Sequence, residues 1–595
     1  MVNVKNLFGM AVMATALVGC SSNDNLAPDG KDNVGKAGTA YAKFTIQLPT
    51  VSGTRAVDPN TGAEFDGGTA NEYAVNDAQL LIFQKSGRSE GDYKFVETVN
   101  IGNLEPWTDN TPNTGVTRYA NITAQLKGVS LDGTGNEYFA LVILNNKDQT
   151  KVTLPTTEGT TYSTWNAAIT NSANFLSTSD GFYMANAPLL NSGAPQTLVP
   201  IKGVYSTKAE AQNKPATTVY VERGMAKVTI GSTSFASKPV DATTSTIYSE
   251  DKVQITEWTL DVMNKSTYPV HTTTGLTDKF ANIWSNERFY AGADPQRVYW
   301  GTDPNYSTTL SDVDACKGEF YLLDREGNTY NGVTGSTVTW ADQTKPLYCL
   351  ENTFDIDNMK QGQTTRVVFK ATYTPHNLTS TGVTTAADKT FFMIGNNPKI
   401  WTKANLEQQI ANKAKELLNT TGTVTATISG DLLTGGSHLL KTGNVTIQEG
   451  KVAKNDDIDF AALNTKLGLN NTETDANGNP KVGIKTYENG VCYYIARIRH
   501  FNDALTPWSS GKETYGTNNA TNNDLYLGRY GVLRNNWYDL TVTKFSAPGY
   551  PDVPVVNPTD PDDEDTKFIN VEVKILDWAK RSQSIELQTL KHKRG

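Results

Sequence analysis

Apolar and polar residues alternate with period two in many short segments of this chain, the pattern of strands with one buried face. The first such segment spans residues 42–48, where Phe44, Ile46 and Leu48 fall on one side. The last spans residues 569–575, and its apolar side consists of Ile569, Val571, Val573 and Ile575. Denser apolar runs at 79–83 and 138–144 predict central strands. The pattern therefore predicts a chain that is predominantly β-strand.

The strands fall into two regions. Strands predicted at 219–223 and 226–230 close the first region, and Gly224 between them indicates a bend or bulge. A second region begins near residue 236, with its clearest strands predicted at 253–263, 320–323, 366–373, 491–498 and 537–542. Helical spacing occurs only at 163–176, 401–418 and 459–467, the last followed by Gly468 as a C-terminal cap. We expect an all-β fold with a few short helices, built as two tandem β-sandwich (transthyretin-like) domains.

The N-terminus has the features of an export signal. Lys5 precedes an apolar segment at 7–18, which is too short to be a stable membrane span and ends at Cys20 in a lipobox-like motif. Residues 1–20 are therefore predicted to be a lipoprotein signal peptide, with lipid attached to Cys20, and residues 21–40 a flexible tether. The alternative is an ordinary signal peptide with a chance cysteine.

Composition narrows the function classes. Hydrophobic residues make up 38% of the chain and charged residues 19%, and Thr, Asn, Ser and Gly fill the difference. The formal net charge of −9 does not favour nucleic-acid binding. Besides Cys20, the cysteines are Cys316, Cys349 and Cys492, for which a Cys316–Cys349 disulfide or three buried thiols are both open.

No catalytic or metal-binding motif stands out. The five histidines are scattered, no GxSxG or phosphate-binding loop occurs, and the Asp/Asn-rich turn at 475–480 lacks the glycine of a calcium loop. We expect no enzyme activity, no cofactor and no metal site. Tryptophans at positions 107, 165, 258, 284 and 508 are candidates for glycan stacking, although sandwich tryptophans more often belong to the core.

Two terminal segments have a different kind of chemistry. Residues 50–59, directly after the first strand, are small and polar with Arg55 as their only basic residue, the setting of a proteolytic site before Ala56 or of an ordinary loop. Residues 548–565 are rich in Pro and Asp and predict an extended, solvated linker. The apolar-faced strand 569–575 would then hang from that linker, and such a strand aggregates unless something receives it.

Together these features resemble the fimbrillins of Bacteroidales type V pili, most closely the Mfa-type shaft subunits of minor (short) fimbriae. The resemblance rests on the lipobox, on Ser-Gly-Thr-Arg-Ala at 52–56 and on three further segments. These are Val-Glu-Arg-Gly-Met-Ala-Lys-Val at 221–228, Arg-Asn-Asn-Trp-Tyr-Asp-Leu at 534–540, and the closing Val-Glu-Val-x-Ile-Leu-x-Trp strand at 571–578. It covers nearly the whole chain except residues 380–480.

The resemblance implies a mechanism. An Arg-specific protease would cut between Arg55 and Ala56, the strand with Phe44, Ile46 and Leu48 would leave, and the strand 569–575 of an identical subunit would fill the groove. The segments would be the signal peptide (1–20), propeptide (21–55), N-terminal domain (56–235), C-terminal domain (236–547), and linker with donor strands (548–595). Partners would be identical subunits, accessory tip and anchor proteins, the protease, and host or bacterial surface receptors.

The expected product is a fimbrium on the cell surface that supports adhesion and biofilm formation, exported through the outer membrane as a lipoprotein precursor. Two alternatives remain open from the sequence: a tip or accessory adhesin that caps the fibre, and a monomeric glycan-binding surface lipoprotein.

Overall fold

A computed structural model describes most of the chain. The described residues are 40–49, 68–104, 108–109, 116–131, 137–191, 194–243, 245–276, 290–291, 296–298, 300–376, 389–474, 480–501, 506, 526–562 and 569–577.

The first part of the chain forms short strands joined by turns. Its strands are β1 Ala40–Pro49, β2 Ala78–Gln84, β3 Lys94–Gly102, β4 Thr108–Asp109, β5 Val116–Leu126, β6 Tyr138–Leu144, β7 Thr170–Asn171, β8 Met184–Asn186, β9 Leu189–Asn191, β10 Ala194–Gln196, β11 Val199–Pro200 and β12 Thr217–Arg223. Its helices are α1 Ala70–Tyr73, α2 Tyr162–Asn166, α3 Ser172–Phe175 and α4 Lys208–Gln212.

The second part has more strands and longer helices. Its strands are β13 Met225–Ile230, β14 Lys238–Pro239, β15 Lys252–Asp261, β16 Met263–Asn264, β17 Ser266–Thr267, β18 Tyr290–Ala291, β19 Gln296–Val298, β20 Phe320–Tyr321, β21 Leu347–Leu350, β22 Arg366–Thr374, β23 Phe391–Ile394, β24 Ile400–Trp401, β25 Val424–Ile428, β26 Gly436–His438, β27 Val445–Glu449, β28 Val452–Ala453, β29 Asn470–Thr474, β30 Pro480–Val482, β31 Ile484–Tyr487, β32 Val491–Arg497, β33 Asn536–Phe545 and β34 Ile569–Asp577. Its helices are α5 Val313–Glu319, α6 Lys403–Leu418 and α7 Phe460–Lys466.

The N-terminal domain is built on one nine-stranded sheet in the order β3-β2-β6-β8-β12-β1-β5-β4, with β11 paired to β6. Residues of β2 and β6 share a core with residues of β1 and β5, so the two halves of the sheet face each other. The outer face of β2 and β6 packs on a second, aromatic-rich core with α2 and α3. Seven consecutive buried residues in β6 agree with the prediction of a central strand.

The C-terminal domain is a sandwich of two four-stranded sheets, β21-β13-β33-β34 and β14-β15-β22-β32. Both sheets contribute to one core, which contains Val228, Trp258, Phe369 and Leu540. The predicted all-β class with a few short helices is confirmed. An insertion between β22 and β32 forms a smaller unit in which α6 and α7 pack on short sheets around their own apolar core.

Two details differ from the sequence predictions. The helix predicted at 163–176 is two short helices, because Asn171 caps a new helix by accepting a hydrogen bond from the N–H of Ala173 (2.8 Å). Strand β13, predicted to close the first domain, pairs in parallel with β33 in the second. The chain therefore crosses between the sheets at Gly224, where a Cβ would lie 2.5 Å from the Phe175 ring. Helix α7 and its cap Gly468, at φ +75°, are as predicted.

Candidate functional site

Strand β1 lies inside the N-terminal sheet, with neighbours on both sides. It pairs antiparallel with β5 over its full length, from Ala40 opposite Leu126 to Pro49 opposite Val116. On its other edge it pairs in parallel with β12, from Phe44 opposite Thr217 to Gln47 opposite Tyr220. Without β1, β5 and β12 would border an open slot in the sheet.

The apolar face of β1 is completely buried. Phe44 and Ile46 are 0% exposed and Leu48 is 2% exposed, as the alternation predicts. These side chains meet Val219 and Leu80 in the core enclosed by the curled sheet. Burying three such side chains contributes roughly 5–9 kcal/mol. Without β1, the floor of the slot would therefore be strongly apolar, and another apolar strand would have to cover it.

The opposite face of β1 is fixed by polar contacts. Lys43 donates a hydrogen bond to the carbonyl of Gln212 at the end of α4 (3.0 Å), and Thr45 donates one to the side chain of Asn121 (2.7 Å). Backbone hydrogen bonds join Tyr41 and Tyr205 in both directions. Strand β1 is therefore fixed in the sheet on both edges and on both faces.

Strand β34 occupies an edge. Its backbone pairs antiparallel with β33, from Asn536 opposite Asp577 to Phe545 opposite Ile569. In the part of the chain that the structure describes, the sheet order places no strand beyond it. The strand predicted to hang free is thus paired with its own domain along one ladder.

The Pro/Asp-rich segment before β34 was predicted to be a solvated linker, and for its described residues 548–562 this is wrong. We call these residues the strap. Only Thr559 among them is exposed. Val553 and Val556 are each 2% exposed, and Asp562 is 1% exposed. Pro-rich sequence prevents regular ladders but suits an extended segment that is bound along a surface.

The two sequence segments at 221–228 and 534–540 meet at the domain junction. Asn535, in the left-handed region at φ 58°, donates its N–H to the carbonyl of Met225 (2.8 Å). Its side-chain oxygen accepts from the N–H of Arg223 (3.2 Å). The guanidinium Nε of Arg223 donates to the carbonyl of Glu72 (2.7 Å), which ties α1 to the crossover.

Glu72 is the charged centre of this junction and was not identified from the sequence. Its Oε1 lies 2.8 Å from the Lys227 ammonium and accepts a hydrogen bond from the Tyr348 hydroxyl (2.6 Å). Burial raises the pKa of the Glu72 carboxyl, but hydrogen bonds from Lys227 and Tyr348 outweigh it and hold the pKa below its usual range. Lys227 also lies 3.6 Å from the centre of the Trp537 ring. The junction is a structural site rather than a reactive one.

The cysteines other than Cys20 are free and buried. The structure therefore has three buried thiols rather than a Cys316–Cys349 disulfide. Burial raises the pKa of Cys316 to about 11 and those of Cys349 and Cys492 to about 12. All three belong to apolar clusters. They act as small core residues.

The described residues give no support to a metal site, a membrane-spanning helix or a glycan-stacking surface. Among the described residues no three His, Cys, Asp or Glu side chains are grouped to hold a metal ion. No described helix is long and apolar enough to cross a membrane. Trp165 and Trp258 are buried, and neither offers a glycan platform. Cys20, Arg55 and Ala56, together with the tryptophans at 107, 284 and 508, lie outside the described residues.

Comparison with known proteins gives one family match. Residues 485–584 match the family described as "Major fimbrial subunit protein type IV, Fimbrillin, C-terminal". Over these residues the chain is similar to the C-terminal region of fimbrillins. The matched region contains β32, β33, β34 and the strap, and it agrees with the resemblance expected from the sequence.

Solved structures show more distant similarity. A fimbrilin (fimA) from Porphyromonas gingivalis W83 is 12% identical, with 92% of this chain and 99% of that chain covered and a TM-score of 0.36. A putative cell adhesion protein from Parabacteroides distasonis is 11% identical, with coverages of 91% and 98% and a TM-score of 0.34. One from Bacteroides eggerthii is 12% identical, with coverages of 92% and 98% and a TM-score of 0.32. No curated protein matches the sequence.

Proposed function

We propose that this protein is the shaft subunit of an Mfa-type fimbrium, polymerised by strand exchange after cleavage between Arg55 and Ala56. The observation that carries the proposal is the contrast between β1 and β34. The first fills the middle of a sheet and directly precedes the candidate cleavage segment, and the second is an apolar-patterned strand held at an edge.

In this scheme cleavage frees β1, and the slot between β5 and β12 receives β34 of another copy. Such β-strand addition uses backbone hydrogen bonds for affinity and alternate side chains for specificity. Because donor and slot lie in different domains of each copy, the contact is head-to-tail and generates a filament. Lipid on Cys20 would hold the precursor at the outer membrane until cleavage.

The test uses a precursor of residues 21–595, an Arg-specific protease, N-terminal sequencing and gels run without heating. The parent should give a new N-terminus at Ala56 and a ladder of SDS-resistant multimers. Arg55→Ala should keep β1 and remain monomeric. Arg88→Ala, an exposed arginine in the same domain, is the matched control and should polymerise normally. A normal ladder from Arg55→Ala would overturn the proposal.

The capping adhesin, which the sequence leaves open, is the second candidate. A cap has no need of a donor strand. Normal fibres from a chain lacking residues 566–595 would favour it over the shaft subunit.

A further inference from the structure

We infer that the strap stays bound to its own domain in the polymer, so that only the chain after Asp562 crosses to the next copy. This rests on the proposed strand exchange, and it specifies where the partner subunit docks. The argument compares what holds the strap with what holds β34.

The first half of the strap is held by backbone hydrogen bonds. Tyr550 and Tyr493 exchange two of them, each 2.8 Å long, which adds the strap to the edge of β32. Val553 donates its N–H to the carbonyl of Arg325 (3.0 Å). The Val553 side chain packs with Val368 in an apolar cluster. This half therefore behaves as part of the sandwich.

Charged side chains add a second set of anchors. Arg366 forms a buried ion pair with Asp261 (2.7 Å) and also donates to the carbonyl of Pro554. Arg325 pairs with Asp552. Lifting the strap would remove the Pro554 carbonyl from the buried Arg366 guanidinium and separate the half-buried pair of Arg325 and Asp552, and losing hydrogen bonds to charged groups is costly.

The last residue of the strap has the most buried contacts. The Asp562 carboxylate lies 3.2 Å from Nε of Arg497 and accepts a hydrogen bond from the Thr364 hydroxyl (2.6 Å). Its N–H donates to the carbonyl of Met359 (3.3 Å). Next to it, the N–H of Gln361 donates to the carbonyl of Asp560 (3.0 Å). The strap is thus fixed up to its end.

Strand β34 is held differently, because its described pairing is one regular ladder at the sheet edge, which a matching slot in another copy can replace bond for bond, whereas the irregular contacts of the strap have no such replacement. The point at which the chain separates most easily therefore follows Asp562. From Asp562 to Ile569 there are seven Cα steps, which span at most about 25 Å. If the strap were free, the 22 Cα steps from Ala547 to Ile569 would reach about three times as far. The slot of the partner copy must accordingly lie within about 25 Å of Asp562.

A disulfide that locks the strap provides the test. Lys360 and Pro561 form an antiparallel bridge, and the flanking bonds from Gln361 to Asp560 and from Asp562 to Met359 make them a non-hydrogen-bonded pair. The Cα atoms of such a pair are about 4.5 Å apart, within the range of a disulfide. Both residues are half-buried. The variant is Lys360→Cys/Pro561→Cys in the 21–595 precursor.

The oxidised variant, after protease treatment, should give the same SDS-resistant ladder as its reduced form and the parent. Loss of the ladder on oxidation, with recovery on reduction, would overturn the inference and show that the strap lifts. Absence of a ladder in the parent would instead overturn the proposed function. Formation of the disulfide is checked by mass before the assay.

Tether length gives an independent readout. Deletion of residues 563–568 shortens the reach from Asp562 to Ile569 to one Cα step, about 4 Å, and should lower multimer yield by about tenfold or more, because a tether that cannot span its sites contributes almost no effective concentration. Replacing the same six residues by Gly-Ser-Gly-Ser-Gly-Ser keeps the length and should preserve the yield. Equal yields from both variants would contradict a fixed strap.

Discussion

The two terminal strands of the described chain have similar patterns and opposite positions. Strand β1 has neighbours on both edges, β5 and β12, and its apolar face is buried. Strand β34 pairs with β33 at the edge of its sheet. Alternation along a strand therefore indicates that it has an apolar face, but it does not indicate whether the strand is permanent or exchangeable.

Position in the sheet and connectivity make that distinction. To leave, β1 must break two ladders and uncover the core, which costs more than thermal opening supplies unless the strand is also detached covalently. To leave, β34 would break one ladder, and in the proposed exchange a matching slot in a second copy would compensate for it. Assembly would then be controlled, because cleavage would create the acceptor while the donor is always present.

The largest effect is expected when the donor strand loses its apolar face. Val573→Asp would place a carboxylate in the slot of the partner, and burying an unpaired charge is far more costly than losing one methyl contact. Multimer yield should fall by about tenfold or more, since each 1.4 kcal/mol is a factor of ten in affinity. Glu572→Gln, on the alternate face, is the matched control and should polymerise like the parent. Equal multimer yields from the two variants would rule out β34 as the donor strand.

An intermediate effect is expected in β1 before cleavage. Phe44→Ala in the uncleaved Arg55→Ala precursor should destabilise the N-terminal domain by about 3–5 kcal/mol, because Phe44 is 0% exposed. Thr45→Ala on the opposite face should cost much less. Urea unfolding of both measures this. After cleavage of an otherwise native chain, Phe44→Ala should leave multimer yield unchanged, since β1 has gone. A weaker ladder would mean that β1 stays.

The smallest effect concerns the junction between the domains. The depressed pKa of Glu72 means that its contribution to stability is full above its unfolded value, near 4.5, and is lost as pH falls below it. The parent should therefore lose stability between pH 5 and 3, and Glu72→Gln should show a flatter profile in urea unfolding. Glu90 is the control, because its pKa is shifted in the opposite direction.

Burial raises the pKa of Glu90 to about 7, although the N–H groups of Thr197 and Leu198 donate to it. A raised carboxyl pKa contributes stability below the unfolded value that is lost as pH rises through 7. Glu90→Gln should flatten the profile between pH 5 and 8 and leave the acid side unchanged. The same response from both variants would contradict these assignments.

Much of this organisation was predictable from local pattern. Period-two alternation identified β1 and β34, and helical spacing with Gly468 identified α7. Membership in a sheet was not predictable in the same way. Strands β12 and β13 are separated only by Gly224, yet they belong to different sheets, because β13 pairs with β33, more than 300 residues further along the chain. Such pairing depends on long-range contacts that local sequence does not record.

The strap is the other feature that the sequence concealed. Prolines and aspartates at 548–562 have the composition of a linker, and the partners that bind them, Arg325, Arg366 and Arg497, are distant in sequence. Glu72 was missed for the same reason, since its partner Lys227 is on the other domain's sheet. The composition of a segment indicates which conformation it prefers on its own. Side chains distant in sequence determine whether that segment is bound to the surface of the domain.

The most direct test of strand exchange mixes two variants that cannot polymerise alone. The Arg55→Ala precursor keeps its slot filled but can donate β34. A cleaved chain lacking residues 566–595 has an open slot and no donor. Mixed in equal amounts, they should form a discrete SDS-resistant dimer and no larger species. If only monomers result, or if a ladder forms, the exchange of β34 for β1 is contradicted.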